Sequence, residues 1–414
     1  MTATEHRPFQ PTPVDSIEET GLPPSLVVDL VLKHAFFEGT VTLGRLAQRT
    51  KLNPAIIHTI YHELQKEHLC ETRTMVGFDY EIFLSAKGRT RAEVALRKSH
   101  YAGPAPVSLA EYKQSVSAQA IDIKVTAESL KSALSDLVLP DSVIRQIGAA
   151  LVVGGAIVLY GSTGNGKTSI AERLHRVARS LVYVPYAVEI SGQILTVYDP
   201  LIHREEPGDP ATYSRWVLCH RPMVKVGGEL KAEMLEPRLD EMTQVGVAPL
   251  SMKANNGILL IDDFGRQQIT PRELLNRWIV PLDRGTDMLS LWTGVSFEIP
   301  FEVLVIFATN LPLSDLAEDG FMRRLKNKIK IESLDENLFR ELLRRVASQK
   351  GIPCSQVGED FIVEECRRHS TGGLRACFPS DLLAIVGGLA KFEERAPSLE
   401  PADVVQALDL YFVH

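Results

Sequence analysis

The spacing of apolar positions changes along the chain, and the changes divide it. Residues 1–22 carry Pro, Thr and acidic residues without an apolar period, which predicts a flexible arm. From residue 23, "SLVVDLVLKHAFFEG" sets Leu26, Leu30, Val31 and Ala35 along one helical stripe. A short "TVT" and "LGRLAQRTKL" follow, then "NPAIIHTIYHELQKEHLCE". There Asn53 suits an N-cap and Pro54 the first helical position, where a missing N–H costs nothing. "TRTMVGFDYEIFLS" alternates as a hairpin does, with Gly77 and Asp79 near its turn, and "AKGRTRAEVALRKS" closes this unit, residues 23–100, as a helix. Residues 101–121, with Gly103, Pro104 and Pro106, predict a linker.

From residue 122 short apolar strands alternate with helical stretches through residue 334, the pattern of an α/β domain with a mostly parallel sheet. Within it "VYVPYAVEISGQILTVYDP" reads as two strands joined at Ser191–Gly192. "CHRPMVKVGGELKAEMLEP" reads as a further strand, a Gly227–Gly228 turn and a helix. This is more chain than one strand and one helix need, so it predicts an insertion. Over residues 335–414 the strands stop. "DENLFRELLRRVASQ", "EDFIVEECRRHS", "FPSDLLAIVGGLAKFEE" and "EPADVVQALDLYF" are four amphipathic segments, which predict a small helical domain.

Composition narrows the class. A chain of 414 residues with 45% hydrophobic and 23% charged residues is ordinary for a globular protein of two or three domains. A net charge of −7 argues against a general coat for nucleic acid. Five cysteines are scattered with no CxxC pair, which predicts free thiols in a reducing compartment. The N-terminus lacks a signal-like apolar core, and no apolar run reaches the roughly 18 residues that cross a bilayer. A cytoplasmic location without membrane contact is expected. His203, His220 and Cys219 fit no zinc-ligand spacing.

The chemistry concentrates in two stretches. "AIVLYGSTGNGKTSIAERL" is an apolar strand, a glycine-rich loop and a helix. Its run Gly161-Ser162-Thr163-Gly164-Asn165-Gly166-Lys167-Thr168, followed by Ser169, matches GxxxxGK[ST]. Such a loop lets backbone N–H groups cradle phosphate oxygens at a helix N-terminus. Lys167 would reach the β- and γ-phosphates of ATP, and the Thr168 hydroxyl would ligate Mg²⁺. The second stretch, "GILLIDDFG", contains the DFG of protein kinases. No His-Arg-Asp loop occurs in the chain, so the kinase reading fails. Ile258–Ile261 reads instead as a buried strand that delivers Asp262 to the metal opposite Thr168.

With these motifs the chain resembles the AAA+ ATPases, and within them the MoxR-type branch, over roughly residues 122–395. The resemblance implies a three-layer P-loop α/β fold with a helical lid, ATP and Mg²⁺ as ligands, and a ring, commonly a hexamer, acting on a protein client. "LLIDDFGRQQITPRELLNRWIVPLD" resembles the branch's metal-site strand and helix, and "TDMLSLWTGVSFEIPFEVLVIFATN" its hairpin and next core strand. By that resemblance Asn310 positions the attacking water. Arg324, or else Arg323, in "GFMRRLKNKI" is the arginine finger that completes a neighbour's site. Arg375 in "GGLRACFPSDLL" reaches the phosphates from the lid. Where the family has Glu beside the metal-binding Asp, this chain has Asp263, one methylene shorter. Slow hydrolysis is expected, with a nucleotide-held clamp as the other outcome. The tips at Ser191–Gln193 and Thr293–Ser296 are candidates for touching a client.

Residues 23–100 resemble a winged-helix domain, a fold that often binds DNA. Residues 1–100 balance 12 Lys and Arg against 12 Asp and Glu, a poor basis for phosphate contacts. His58, Tyr61, His62, Gln65 and Lys66 would form the polar side of its recognition helix. Docking on a protein, or on the neighbouring domain, is favoured over DNA; the alternative is an ATP-gated, DNA-associated switch or regulator that uses this domain, with slow or incidental hydrolysis.

Overall fold

The computed structural model describes residues 9–77, 79–120, 125–178, 180–207, 213–316, 323–370 and 372–412. The first eight residues of the expected arm, the expected domain start at residue 122 and the beginning of "GFMRRLKNKI" lie outside them. Among the described residues no helix is long and apolar enough to cross a membrane.

The central element is a five-stranded parallel sheet: β1 Ile157–Tyr160, β2 Met223–Val226, β3 Ile258–Ile261, β4 Leu304–Thr309 and β5 Asn327–Lys330. Their order across the sheet is β2-β3-β4-β1-β5, every neighbour parallel. The inner strands read as unbroken apolar runs because both faces are covered. On one face Leu159, Leu260 and Ile306 pack with Ile147, Ile170 and Leu174 of the helices Asp141–Val153 and Lys167–Leu174. On the other Val158, Leu259 and Phe307 meet Leu274, Leu275 and Trp278. The result is a three-layer α/β domain. Gly257, just before β3, is required by close approach: a Cβ there would lie 2.1 Å from the Pro222 carbonyl oxygen.

The insertion forms its own β layer. Ala187–Ile190 and Gln193–Thr196 make the expected hairpin, turning at Ser191 (φ 50°) and Gly192 (φ 83°). They join Val245–Val247 and Arg238–Asp240 on one side and Val107–Ser108 on the other. Leu181–Pro185 pairs with Trp216–His220, and Thr286–Ser290 with Ser296–Pro300. These pieces share one core with Tyr112, Val116, Trp216 and Phe297.

Two segments read as loose are packed. The expected arm is anchored where it is described: Phe9 sits edge-on to Trp216 at 5.2 Å, and Ile17, Thr20 and Leu22 are buried. Residues 101–120 hold a strand and the helix Leu109–Ala118, which Ser108 and Glu111 cap reciprocally. Their backbone is satisfied from both sides. Lys33 and His34 reach the carbonyls of Tyr101 and Gly103, Asn256 reaches Val116 O at 2.8 Å, and the buried Arg221 reaches Gln119 O at 2.9 Å. Composition suggested a linker because Gly and Pro mark turns as readily as tethers.

Residues 23–100 form the helices Pro24–Glu38, Leu43–Thr50, Pro54–Lys66 and Ala86–Lys98 around a three-stranded antiparallel sheet, Thr40–Thr42, Asp79–Leu84 and Cys70–Val76 in spatial order. Its core includes Ala187 and Ile194 of the insertion, so this unit is seated on the β layer. Buried Arg215 ties the arm and the segment 101–120 to that layer, bonding Thr20 O and Pro106 O at 3.1 Å each and Glu111 at 2.7 Å. Tyr61, expected on a polar face, is 4% exposed and bonded to Thr72, and Gln65 bonds the same hydroxyl. The reason is the sheet, whose Tyr80 stacks on Tyr61 at 5.6 Å.

All four C-terminal segments are helices: Glu336–Lys350, Gln356–His369, Phe378–Phe392 and Pro401–Tyr411. They enclose Phe339, Leu343, Ile362, Cys366, Phe378, Leu382 and Leu408. Gly358 lets the second pass over the chain entering the fourth, since a Cβ would fall 1.9 Å from Leu399 O. Gly358→Ala is therefore expected to destabilise this helical unit by about 1–3 kcal/mol, the usual cost of overpacking, read as an earlier urea midpoint.

Candidate functional site

Every parallel strand of the sheet delivers its C-terminal end to the same edge, where crevices form in such folds. The loop leaving β1 is shaped by its glycines. Gly161, at φ 138°, could not carry a Cβ, which would lie 2.3 Å from Ile331 O. One on Gly164, at φ 83°, would lie 2.5 Å from Cys377 Sγ. Gly164 O accepts from Cys377 N at 2.9 Å, so the helical lid is tied directly to the loop. Asn165 bonds Ile331 O at 3.3 Å. Lys167 begins the helix, and its ammonium folds back to Gly161 O (2.9 Å) and Ser162 O (2.8 Å). Burial pulls this ammonium below the ordinary lysine range, against the attraction of Asp263 and Asp262.

β3 brings the acids. Thr168 Oγ1 donates to Asp262 Oδ1 at 2.8 Å, joining residues 94 positions apart in the chain. The strand ladder continues into Asp262, whose N–H donates to Val226 O. Asp263 then turns left-handed at φ 48°, a conformation that Asp tolerates better than most residues. Its N–H donates to Asp262 Oδ1 at 3.1 Å. Gln267 holds the tip: its amide donates to Asp262 O (2.8 Å) and Asp263 O (3.3 Å) and accepts from Gly265 N (2.8 Å). At the end of β4, Asn310 donates to Thr163 Oγ1 at 3.0 Å, while its buried Oδ1 has no partner. A buried amide oxygen without a partner is costly unless water or a ligand meets it.

These groups surround a cavity of about 430 Å³. Its walls include Thr163–Ile170, Asp262, Asp263 and Asn310, with Leu137, Val138 and Leu139 on one side and Leu342, Ala376, Cys377 and Ser380 of the lid on the other. Among the described lining residues Lys167 is the one basic side chain, set against Asp136, Asp262, Asp263 and Asp381. A polyanion entering this cavity needs a cation with it. Thr168 and Asp262, already in contact, form the oxygen donor set that suits Mg²⁺.

The arginines are placed differently. Arg375 touches the loop region: its Cδ would be 3.7 Å from a Cβ on Gly164. Its guanidinium lies 5.8 Å from the Phe378 ring, and its buried Nε has no partner. Arg324 pairs with Asp283 at 3.2 Å, Arg323 is exposed, and neither lines the cavity. His203 is buried and bonded to Lys253 O at 2.9 Å, and His220 pairs with Glu206 at 2.9 Å.

Motif reading missed Gln267, the aliphatic wall at 137–139 and Lys225. Lys225, on β2, lies 3.3 Å from Asp262 Oδ2 and 2.9 Å from Glu172, and the bond to Glu172 raises its pKa above the ordinary value. A lone lysine in "MVKV" gives no signal of that proximity.

Comparison with known proteins adds little beyond this geometry. A family model described as a domain of unknown function, DUF8689, matches residues 335–410, the helical lid. No curated protein matches the sequence. Among solved structures, NtrX from Brucella abortus is 16% identical and covers 62% of this chain and 54% of its own, with a TM-score of 0.37. The chain thus spans about half of that NtrX. Two point mutants of RuvB from Thermotoga maritima are 13% and 15% identical, each covering 70% of this chain and 72% of its own, with TM-scores of 0.37 and 0.36. Likeness this distant carries no function. Strand order, the loop after β1, the acid at the end of β3 and the helical lid together define a three-layer α/β P-loop fold with a parallel sheet, the architecture that the resemblance to AAA+ ATPases implies.

Proposed function

We propose that this chain binds and hydrolyses ATP with Mg²⁺ and works as a ring-forming remodeller of a protein client, in the manner of the MoxR-type branch. The observation that carries the reading is the 2.8 Å contact of Thr168 with Asp262 at the mouth of a glycine-shaped loop. In this reading the loop N–H groups and Lys167 hold the phosphates. Thr168 and Asp262 hold Mg²⁺, which supplies charge neutralisation at the transferring phosphoryl group. Asp263 and the free Oδ1 of Asn310 orient the attacking water. The aliphatic residues 137–139 and Leu342 cover the base, and Arg375 links lid position to the phosphates.

Arg324 and Arg323 stand outside their own chain's cavity, which favours service to a neighbour. Head-to-tail contacts of that kind close into rings, and a hexamer is the size we favour. The unit at 23–100 has the helix and sheet order of a winged helix. Its seat on the insertion and the engaged Tyr61 and Gln65 favour an adaptor over a DNA reader.

Mixing tests the shared site. Arg324→Ala and Lys167→Ala, each inactive alone, are expected to regain activity together, because one seam then joins an intact loop to an intact finger. Random equal mixing gives roughly a quarter of the wild-type rate. No recovery, with Arg323→Ala also failing to complement, would remove the trans finger. A full-rate monomer by light scattering would remove the ring.

A further inference from the structure

The edge strand carries a charge that the nucleotide motifs leave unused. Lys225 lies opposite Leu260 in the β2–β3 register, so its side chain rises on the sheet face that carries Asp262 two residues later. Its ammonium is 3.3 Å from Asp262 Oδ2 and 2.9 Å from Glu172 Oε1 on the helix after the glycine loop. The other carboxylate oxygen, Oδ1, accepts from Thr168 at 2.8 Å. Both oxygens of the acid that would hold a metal are therefore engaged, one by a hydroxyl and one by a full positive charge.

We propose that Lys225 is an internal competitor for the cation at Asp262 and sets how much Mg²⁺ the site requires. The inference rests on the nucleotide reading above. A divalent ion held by Thr168 and Asp262 would sit within several ångströms of the ammonium, and like charges at that range repel. Lys225 has somewhere else to go. Its side chain is 46% exposed, and Glu172 keeps hold of it when Asp262 is given up. In the ion-free site the same ammonium offsets part of the repulsion among Asp262, Asp263 and Glu172, so the acid tip stays ordered without metal. Solvent screens an exposed lysine, so the effect is a few-fold shift in metal requirement.

The test is ADP binding by calorimetry, in EDTA and across a Mg²⁺ titration, for wild type, Lys225→Met, Lys225→Gln and Lys225→Arg. The two neutral variants are expected to lower the half-saturating Mg²⁺ at least about threefold. Lys225→Arg, which keeps the charge, should stay within about twofold of wild type. An unchanged or raised Mg²⁺ requirement in both neutral variants overturns the proposal and makes Lys225 a support for the metal site. Wild type binding ADP with no Mg²⁺ dependence overturns it as well. Wild type binding no ADP at any Mg²⁺ concentration sinks the nucleotide reading itself, a result distinct from the others.

Discussion

Lys167→Ala is expected to weaken ATP binding at least about 100-fold, roughly 2.7 kcal/mol, measured by calorimetry at saturating Mg²⁺. The electrostatics of the cavity set the size. Four carboxylates and one ammonium line the described walls, so removing Lys167 takes away the one basic side chain among the described lining residues. Arg324 is engaged with Asp283 and Lys225 with Glu172 and Asp262, and Arg375, beside Gly164, does not line the cavity. The fold should survive, because Lys167 bonds only the loop carbonyls of Gly161 and Ser162, which solvent can satisfy once the side chain is gone. Unchanged affinity in a folded Lys167→Ala protein would move the phosphate site elsewhere.

Asp263→Asn is expected to leave ATP affinity within about threefold and to cut turnover at least about 100-fold, measured under single-turnover conditions. Asn keeps the size of the side chain and the tolerance for φ 48°, so the change isolates the charge. Asp263→Glu gives the companion result. The left-handed backbone and the Gln267 bonds hold the tip in a shape suited to the shorter acid. A longer carboxylate there overshoots by on the order of 1 Å, a displacement that can cost roughly 10²-fold at a reacting centre. Turnover should therefore fall in Asp263→Glu as well. A faster Asp263→Glu enzyme would show that the short acid limits the rate. Equal turnover by Asp263→Asn and wild type would take Asp263 out of the mechanism.

The two aspartates thus differ in what each asks of the backbone. Asp262 extends the ladder of β3, as the apolar run before it implied. Asp263 leaves that ladder, and its geometry depends on Gln267, whose role no spacing rule marks. The same contrast runs through the N-terminal third. The capping residues Asn53 and Pro54 were legible because a cap is a local event. The packing of residues 101–120 was not, because it depends on carbonyls met by Lys33, His34, Arg221 and Asn256, far away in the chain. Even there a local sign was present: Ser108 and Glu111 have the spacing of a capping box.

By itself the amino-acid sequence determined the elements and motifs whose physics is local: the glycine loop between strand and helix, the buried strand ending in two acids, the hairpin at Ser191–Gly192 and the four lid helices. Periodicity and turn chemistry act over a few residues, so they can be read in a line of text. Only the tertiary structure decided that Thr168 and Asp262 touch, that Lys225 shares the acid, that the lid backbone bonds the loop through Cys377 and Gly164, and that the candidate finger arginines stand outside their own cavity. Those are contacts between distant segments, set by strand order and by the burial of one core against another, and neither leaves a mark on the spacing of residues along the chain.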